Sequence, residues 1–182
     1  MSYQYNIAEI NLCTECEGPS KRMAIWFQGC NIRCKGCCNP QLQPFVIKNL
    51  LSVEEIVSAA KKSLEENGIE GVTFLGGEPT LQQDLPILAH SLQEIGLGVI
   101  LFTGKLIEEL SEDLISGCDI IVDGKFDLEQ NDTKRNLIGS VNQKIHCITS
   151  RYENELDWFS KKRPKKVRID ISEELHISGD VL

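Results

Sequence analysis

Apolar and polar positions change period along this chain in a regular order. Residues 5–12 and 22–28 are rich in β-branched and aromatic side chains and read as extended segments, the second running almost directly into Cys30. Val53, Ile56, Val57, Ala60 and Leu64 then recur at helical spacing. Ser52-Val53-Glu54-Glu55 supplies a capping box ahead of them, and Asn67-Gly68 a stop behind them. Residues 72–75 form a short apolar run broken by Gly76-Gly77, and residues 81–95 read as a helix with Pro86 as a kink near its start. The alternation repeats with a buried strand over 97–102, a helix over 106–115 and a strand over 119–123. Further strands are predicted at 145–148 and 167–171.

Nearly continuous apolar strands separated by amphipathic helices predict a parallel sheet, because parallel pairing needs crossovers and buries both faces. The expected fold class is α/β: an open partial (β/α) barrel with a curved, mostly parallel sheet of about six strands. Six are too few to close an eight-stranded barrel of about 250 residues. One core domain is expected over residues 1–182, with functional residues at the carboxyl ends of its strands.

Composition narrows the function classes. At 41% hydrophobic and 25% charged the chain is neither disordered nor membrane-embedded, and no apolar run nears the roughly 20 residues of a spanning helix. No basic flank followed by a long apolar stretch opens the sequence, so a cytoplasmic protein without a membrane partner is expected. Nineteen basic against 27 acidic residues give a net charge of −8, which argues against nucleic acid as a partner. The local exception, Lys161-Lys162-Arg163-Pro164-Lys165-Lys166, reads as a solvated loop.

Eight cysteines are many for a reducing compartment, where clustered thiols bind metal or do chemistry more often than they form disulfides. Cys30, Cys34, Cys37 and Cys38 fall within nine residues. The spacing C-x-x-x-C-x-x-C puts three thiolates on one tight loop. Three thiolates around a four-iron cluster leave one iron open to a substrate or cofactor, as an open position separates catalytic from structural metal sites. Zinc, with Cys38, Cys13 or Cys16 completing four sulfurs, satisfies the same loop. Cys13 and Cys16 also read as ordinary cysteines near a surface loop, and Cys118 and Cys147 as core residues. Gly76-Gly77-Glu78-Pro79 follows a strand; its glycines allow close backbone approach to a ligand, and the same residues would serve an ordinary strand-to-helix turn.

Taken together, the cysteine loop and the glycine turn resemble the radical S-adenosylmethionine (SAM) superfamily. More closely, the chain is similar to the anaerobic ribonucleotide reductase activating proteins, which are glycyl-radical-activating enzymes. That likeness rests on Phe27-Gln28-Gly29-Cys30 leading into Cys34-Lys35-Gly36-Cys37-Cys38-Asn39-Pro40, then Gly76-Gly77-Glu78-Pro79 and Phe102-Thr103-Gly104. It continues through Ile121-Val122-Asp123-Gly124-Lys125-Phe126 and Gly139-Ser140-Val141-Asn142-Gln143. The resemblance implies that Cys30, Cys34 and Cys37 ligate a [4Fe–4S] cluster whose open iron is chelated by SAM. It further implies that Gly76, Gly77 and Glu78 meet the SAM amino group largely through backbone atoms, that Gly36 and Cys38 lie against adenine, and that Thr103, Gly104 and Asp123 line the site.

In such enzymes one electron from the cluster splits SAM into methionine and a 5′-deoxyadenosyl radical, which abstracts hydrogen. Implied partners are a large glycyl-radical enzyme resembling anaerobic ribonucleotide reductase, and an electron donor such as flavodoxin or ferredoxin. No acid–base side chain is needed, and His90, His146 and His176 read as structural or surface residues. Cys34→Ala is expected to abolish cluster assembly, and Gly77→Val to spare the cluster while weakening SAM binding. Two segments depart from the family pattern. Glu17-Gly18-Pro19-Ser20 stands where an acidic residue and G-P-G are usual, and Ile138-Gly139-Ser140-Val141-Asn142-Gln143-Lys144 where R-G-S-S-N-Q-R is usual. Other readings of the same sequence are a radical SAM maturase or biosynthetic enzyme acting on a peptide or small molecule, and a non-catalytic metal-binding or electron-transfer module.

Overall fold

Six consecutive residues of the second strand are buried, as a central strand covered on both faces requires. The computed structural model describes residues 3–160 and the backbone of 167–171 and 175–179; the basic run at 161–166 and the side chain of His176 lie outside the described residues. The strands and helices in chain order are β1 (Gln4–Thr14), β2 (Arg22–Phe27), β3 (Asn49–Ser52), α1 (Val53–Asn67), β4 (Gly71–Gly76), α2 (Leu85–Glu94), β5 (Gly98–Phe102), α3 (Glu112–Ser116), β6 (Ile120–Asp123), β7 (Lys144–Cys147), α4 (Asp157–Ser160), β8 (Val167–Ile171) and β9 (Leu175–Gly179). Seven strands form one open sheet in the order β3-β1-β2-β4-β5-β6-β7, while β8 and β9 make a separate antiparallel pair.

The expected open α/β sheet is present, with β2, β4, β5 and β6 pairing in parallel at its centre. Its flanks run the other way: β1 is antiparallel to β2 and β3, and β7 to β6. The connection from β6 to β7 contains no crossover helix, only a 3-10 turn at Leu128–Gln130. Residues 124–143 stay at the carboxyl end of β6, so the chain re-enters the sheet from that end and must reverse direction. β8, expected in the main sheet, pairs with β9 instead.

Alternate residues of β2 divide between two cores. Met23, Ile25 and Phe27 pack with α1 and α2, while Ala24 and Trp26 meet Leu42 on the opposite face. Farther along that second face Ile100, Ile120 and Val122 are covered by Ile138, Tyr152 and Phe159. The α1 capping box forms as read: Ser52 Oγ accepts from Glu55 N and the Glu55 carboxylate accepts from Ser52 N. Gly68, at φ 66°, ends the helix. No helix among the described residues is long and apolar enough to cross a membrane.

Two predicted helices are shorter than their periodicity. Over 81–95, the helix starts at Leu85 and Pro86 occupies its first turn, where a missing N–H leaves no bond broken and no kink arises. Over 106–115, a 3-10 turn at Ile107–Glu109 precedes α3. Leu106 N donates to the Glu109 carboxylate, and Ser111 caps a fresh start by accepting from Leu114 N. Local polar groups there compete with the continuous helix.

Candidate cluster and cofactor site

In-register parallel pairing sets the carboxyl ends of the central strands level, with Phe27 opposite Gly76 and Phe102 opposite Val122. The predicted cluster and cofactor residues leave from that end. The cysteine loop follows β2, the Gly76–Glu78 turn closes β4, Thr103-Gly104 follows β5 and Asp123 ends β6.

The neck of the cysteine loop is held by main-chain hydrogen bonds. Gly29 N donates to Leu42 O at 2.8 Å, Cys30 N to Gln43 O at 3.1 Å, and Cys37 N to Cys34 O at 3.3 Å. From the neighbouring turn Gly77 N donates to Phe27 O and Glu78 N to Gly29 O, both at 2.8 Å. A Cβ on Gly77 would stand 2.2 Å from Gly29 O, so the close approach that glycine permits here is to the cysteine loop itself. The expectation that Gly77→Val spares the cluster is therefore corrected: the added side chain must push the loop neck away.

Glu78 is buried, and its carboxylate takes four donors. Oε1 accepts from Thr80 N (3.1 Å), Thr80 Oγ1 (2.7 Å) and Thr103 Oγ1 (2.7 Å), and Oε2 from Gly104 N (2.9 Å). One side chain thus ties the ends of β4 and β5 together. Ile32 of the cysteine loop packs over Gly104, where a Cβ would meet it at 3.1 Å.

Cys30 is buried, Cys34 and Cys37 are half-buried and Cys38 is exposed. A hydrogen bond from the Cys38 thiol, helped by Asn39 N at 3.4 Å, lowers the Cys37 thiol to about 6 despite its burial; Cys38, holding the shared proton, is pushed up. Burial raises Cys34, opposed by the Phe126 backbone N–H and the charge of Lys125. Among the described residues no three Cys, His, Asp or Glu side chains stand close enough to share one metal ion. Thiolate donors suit both zinc and iron–sulfur clusters, and a four-iron cluster would take one thiolate at each of three irons. The donor set fits the cluster.

Asp123 is buried. Its Oδ2 accepts from Ile107 N at 2.9 Å and stands 3.1 Å from His146 Nε2, while Oδ1 has no hydrogen-bond partner among the described residues. His146, which faces this carboxylate from β7, has no sequence signal of its own, because strand pairing alone brings it there. Gly36, at φ 75°, has Leu128 on the side where a Cβ would project. Lys125, Phe126 and Leu128 border the cysteine loop and were given no role by their sequence pattern. Cys118 is buried, and burial beside Asp119 pushes it up to about 12. Cys147, expected in the core, is exposed because β7 is an edge strand. Cys16 is buried and Cys13 half-buried, close to the amino end of β2. His90 is a surface residue facing Asp113.

The family described as 4Fe-4S single cluster domain matches residues 16–146, nearly three quarters of the chain. The chain belongs to this family. The three cysteines of the loop fall inside the part matched by the cluster domain. The chain is also 29% identical to the anaerobic ribonucleoside-triphosphate reductase-activating protein of Vibrio cholerae, over 72% of this chain and 91% of that one. The protein of the same name from Enterobacteria phage T4 is 28% identical over 79% and 95%. A third relative, an S-adenosylmethionine-dependent nucleotide dehydratase of Lacinutrix mariniflava, is 35% identical over 47% of this chain and 18% of that protein. The resemblance to the activating proteins thus extends beyond the motifs to most of both chains.

Proposed function

We propose that this chain is a radical SAM enzyme that installs a glycyl radical on a large partner resembling anaerobic ribonucleotide reductase. The observation that carries the reading is the fusion of the three-cysteine loop to the Gly76–Glu78 turn through Gly77 N–Phe27 O and Glu78 N–Gly29 O, in a chain related to activating proteins along most of its length. Cys30, Cys34 and Cys37 hold the [4Fe–4S] cluster. When bound there, the cluster would supply the electron for reductive cleavage of SAM, the chemistry that hydrogen abstraction from a glycine requires.

The protein's own groups bind and orient. The main chain of Gly76, Gly77 and Glu78 meets the SAM amino group; the Glu78 carboxylate, already engaged by four donors, positions the turn instead. Thr103 and Gly104 line the site as the far anchors of that carboxylate. Asp123 Oδ1 is the acceptor left for a hydroxyl or amino donor of SAM. Gly36 reaches adenine through its main chain, since Leu128 fills its other side, and the exposed Cys38 lies beside it.

Anaerobic reconstitution with iron and sulfide, reduction and addition of SAM is expected to release 5′-deoxyadenosine and methionine in equal amounts. Adding an anaerobic ribonucleotide reductase is then expected to give a glycyl-radical signal by electron paramagnetic resonance, with flavodoxin or ferredoxin replacing the chemical reductant. Failure of SAM cleavage by a chain that binds zinc overturns the reading. The dehydratase likeness supports a second one, a nucleotide-sized substrate, which SAM cleavage without a radical on the reductase would favour.

A further inference from the structure

The segment between the cysteine loop and β3 carries three consecutive exposed apolar side chains. Phe45, Val46 and Ile47 are 65%, 47% and 75% exposed among the described residues. Residues 43–47, Gln-Pro-Phe-Val-Ile, bear no charge in a chain that is 25% charged. A loose loop would fold such side chains inward, but this backbone is tied. Gln28 Nε2 donates to Pro44 O at 2.7 Å, Asn6 Nδ2 to Val46 O at 2.7 Å, and Lys48 N to Asn6 Oδ1 at 2.9 Å.

The same segment reaches the cysteine loop: Cys30 N donates to Gln43 O, and a Cβ on Gly29 would stand 3.3 Å from Phe45 Cδ1. The apolar step thus borders the residue that precedes the first cysteine of the loop, at the end of the sheet from which the cluster and cofactor residues leave. Leu106, Leu128 and Val141, exposed as well, stand on the connections after β5 and β6 at that end. Scattered exposed apolar residues are ordinary, whereas a group of them on a fixed backbone beside a reactive site marks a contact surface.

We propose that Phe45, Val46 and Ile47 form the apolar anchor on which the glycine-bearing partner protein docks beside the cysteine loop. The inference rests on the glycyl-radical activity proposed above and names the surface that activity uses. The reaction itself says what covers this end. Hydrogen abstraction needs the glycine in contact with the site, so the protein that carries the glycine must seat itself against the loops around it. A small substrate would enter without covering an apolar step outside the site. Stable interfaces bury roughly 800 Å² per partner around apolar and aromatic anchors. Three side chains supply the anchor but not that area, so a partner spanning the whole end of the sheet fits better than a second copy packed on the step alone.

The test uses the reconstituted, iron-loaded chain and an anaerobic ribonucleotide reductase, with binding followed by analytical ultracentrifugation and glycyl radical by electron paramagnetic resonance. In Ile47→Asp, and more weakly in Phe45→Ala, the reductase concentration giving half-maximal radical is expected to rise, by about tenfold or more for the charge. Radical yield at saturation, iron content and release of 5′-deoxyadenosine without the reductase are expected to stay at wild-type values. Leu12→Asp places the same charge on an exposed apolar residue near the amino end of β2 and is expected to leave half-saturation unchanged. Wild-type affinity and half-saturation in both loaded variants would overturn the inference and leave the proposed activity intact. So would an Ile47→Asp chain that loses self-association, or binding to phosphatidylglycerol vesicles, while keeping its affinity for the reductase. A wild-type chain that cleaves SAM but neither binds the reductase nor gives a radical would overturn the partner reading and the inference with it.

Discussion

Glu78 shows how one side chain can organise a site without reacting in it. Its two oxygens collect Thr80, Thr103 and Gly104, so the carboxylate spends its hydrogen-bonding capacity on the protein, while the sequence reading gives the cofactor contact of this turn largely to backbone atoms. Glu78→Gln turns one acceptor into a donor. The threonine hydroxyls can rotate to accept, but a backbone N–H, of Thr80 or of Gly104, is left facing an amide hydrogen. A loss of about 1–3 kcal/mol is expected from the unpaired buried group, measured by urea unfolding of the metal-free protein. Gly77→Val acts at the same junction by sterics, with 2.2 Å between the new Cβ and Gly29 O. It is expected to lower iron incorporation on reconstitution as well as SAM binding, whereas a change confined to the cofactor pocket would leave iron content at the wild-type level.

Elements owe their placement to polar groups as much as to apolar pattern. Arg22 begins β2, is fully buried, and donates to Thr73, Glu70, Tyr152 and the carbonyls of Pro19, Val72 and Gly98. It ties β2, β4 and β5 together at the amino end, opposite the site, and Tyr152 of the 150–155 turn adds a hydrogen bond to Glu70. Arg22→Ala leaves several buried acceptors without donors and is expected to cost about 3–5 kcal/mol in a denaturant titration. The capped helix α1 was legible because box and stop are local in sequence. The break between Ile107–Glu109 and α3 was not, because a run of apolar residues at helical spacing gives no sign that Ser111 and Glu109 will bond to the backbone instead.

At the scale of the molecule the cluster loop is an attachment to a sheet that has its own core. The loop neck is fixed by protein hydrogen bonds, and the buried cluster of β-strands, α1 and α2 lies behind it. Chelation of iron is therefore expected to abolish SAM cleavage while leaving the far-ultraviolet circular dichroism and a cooperative thermal transition in place. Zinc fingers behave differently, since there metal binding is the folding energy. Loss of the cooperative transition on chelation would show that the loop carries more of the fold than its contacts indicate.

Sequence alone determined the cysteine loop, the glycine turn, the capped helix and the parallel centre of the sheet, since each is written within a few neighbouring residues or in a period of 2 or 3.6. Tertiary structure alone decided the rest. Only pairing across the sheet could turn β7 antiparallel and bring His146 to Asp123. Only packing could make Gly77 a contact for Gly29 and lay Leu128 on Gly36. Strand pairing and the approach to Gly29 O join residues far apart in the chain through backbone atoms, and a backbone N–H or carbonyl is the same whatever side chain it carries, so no sequence pattern marks it.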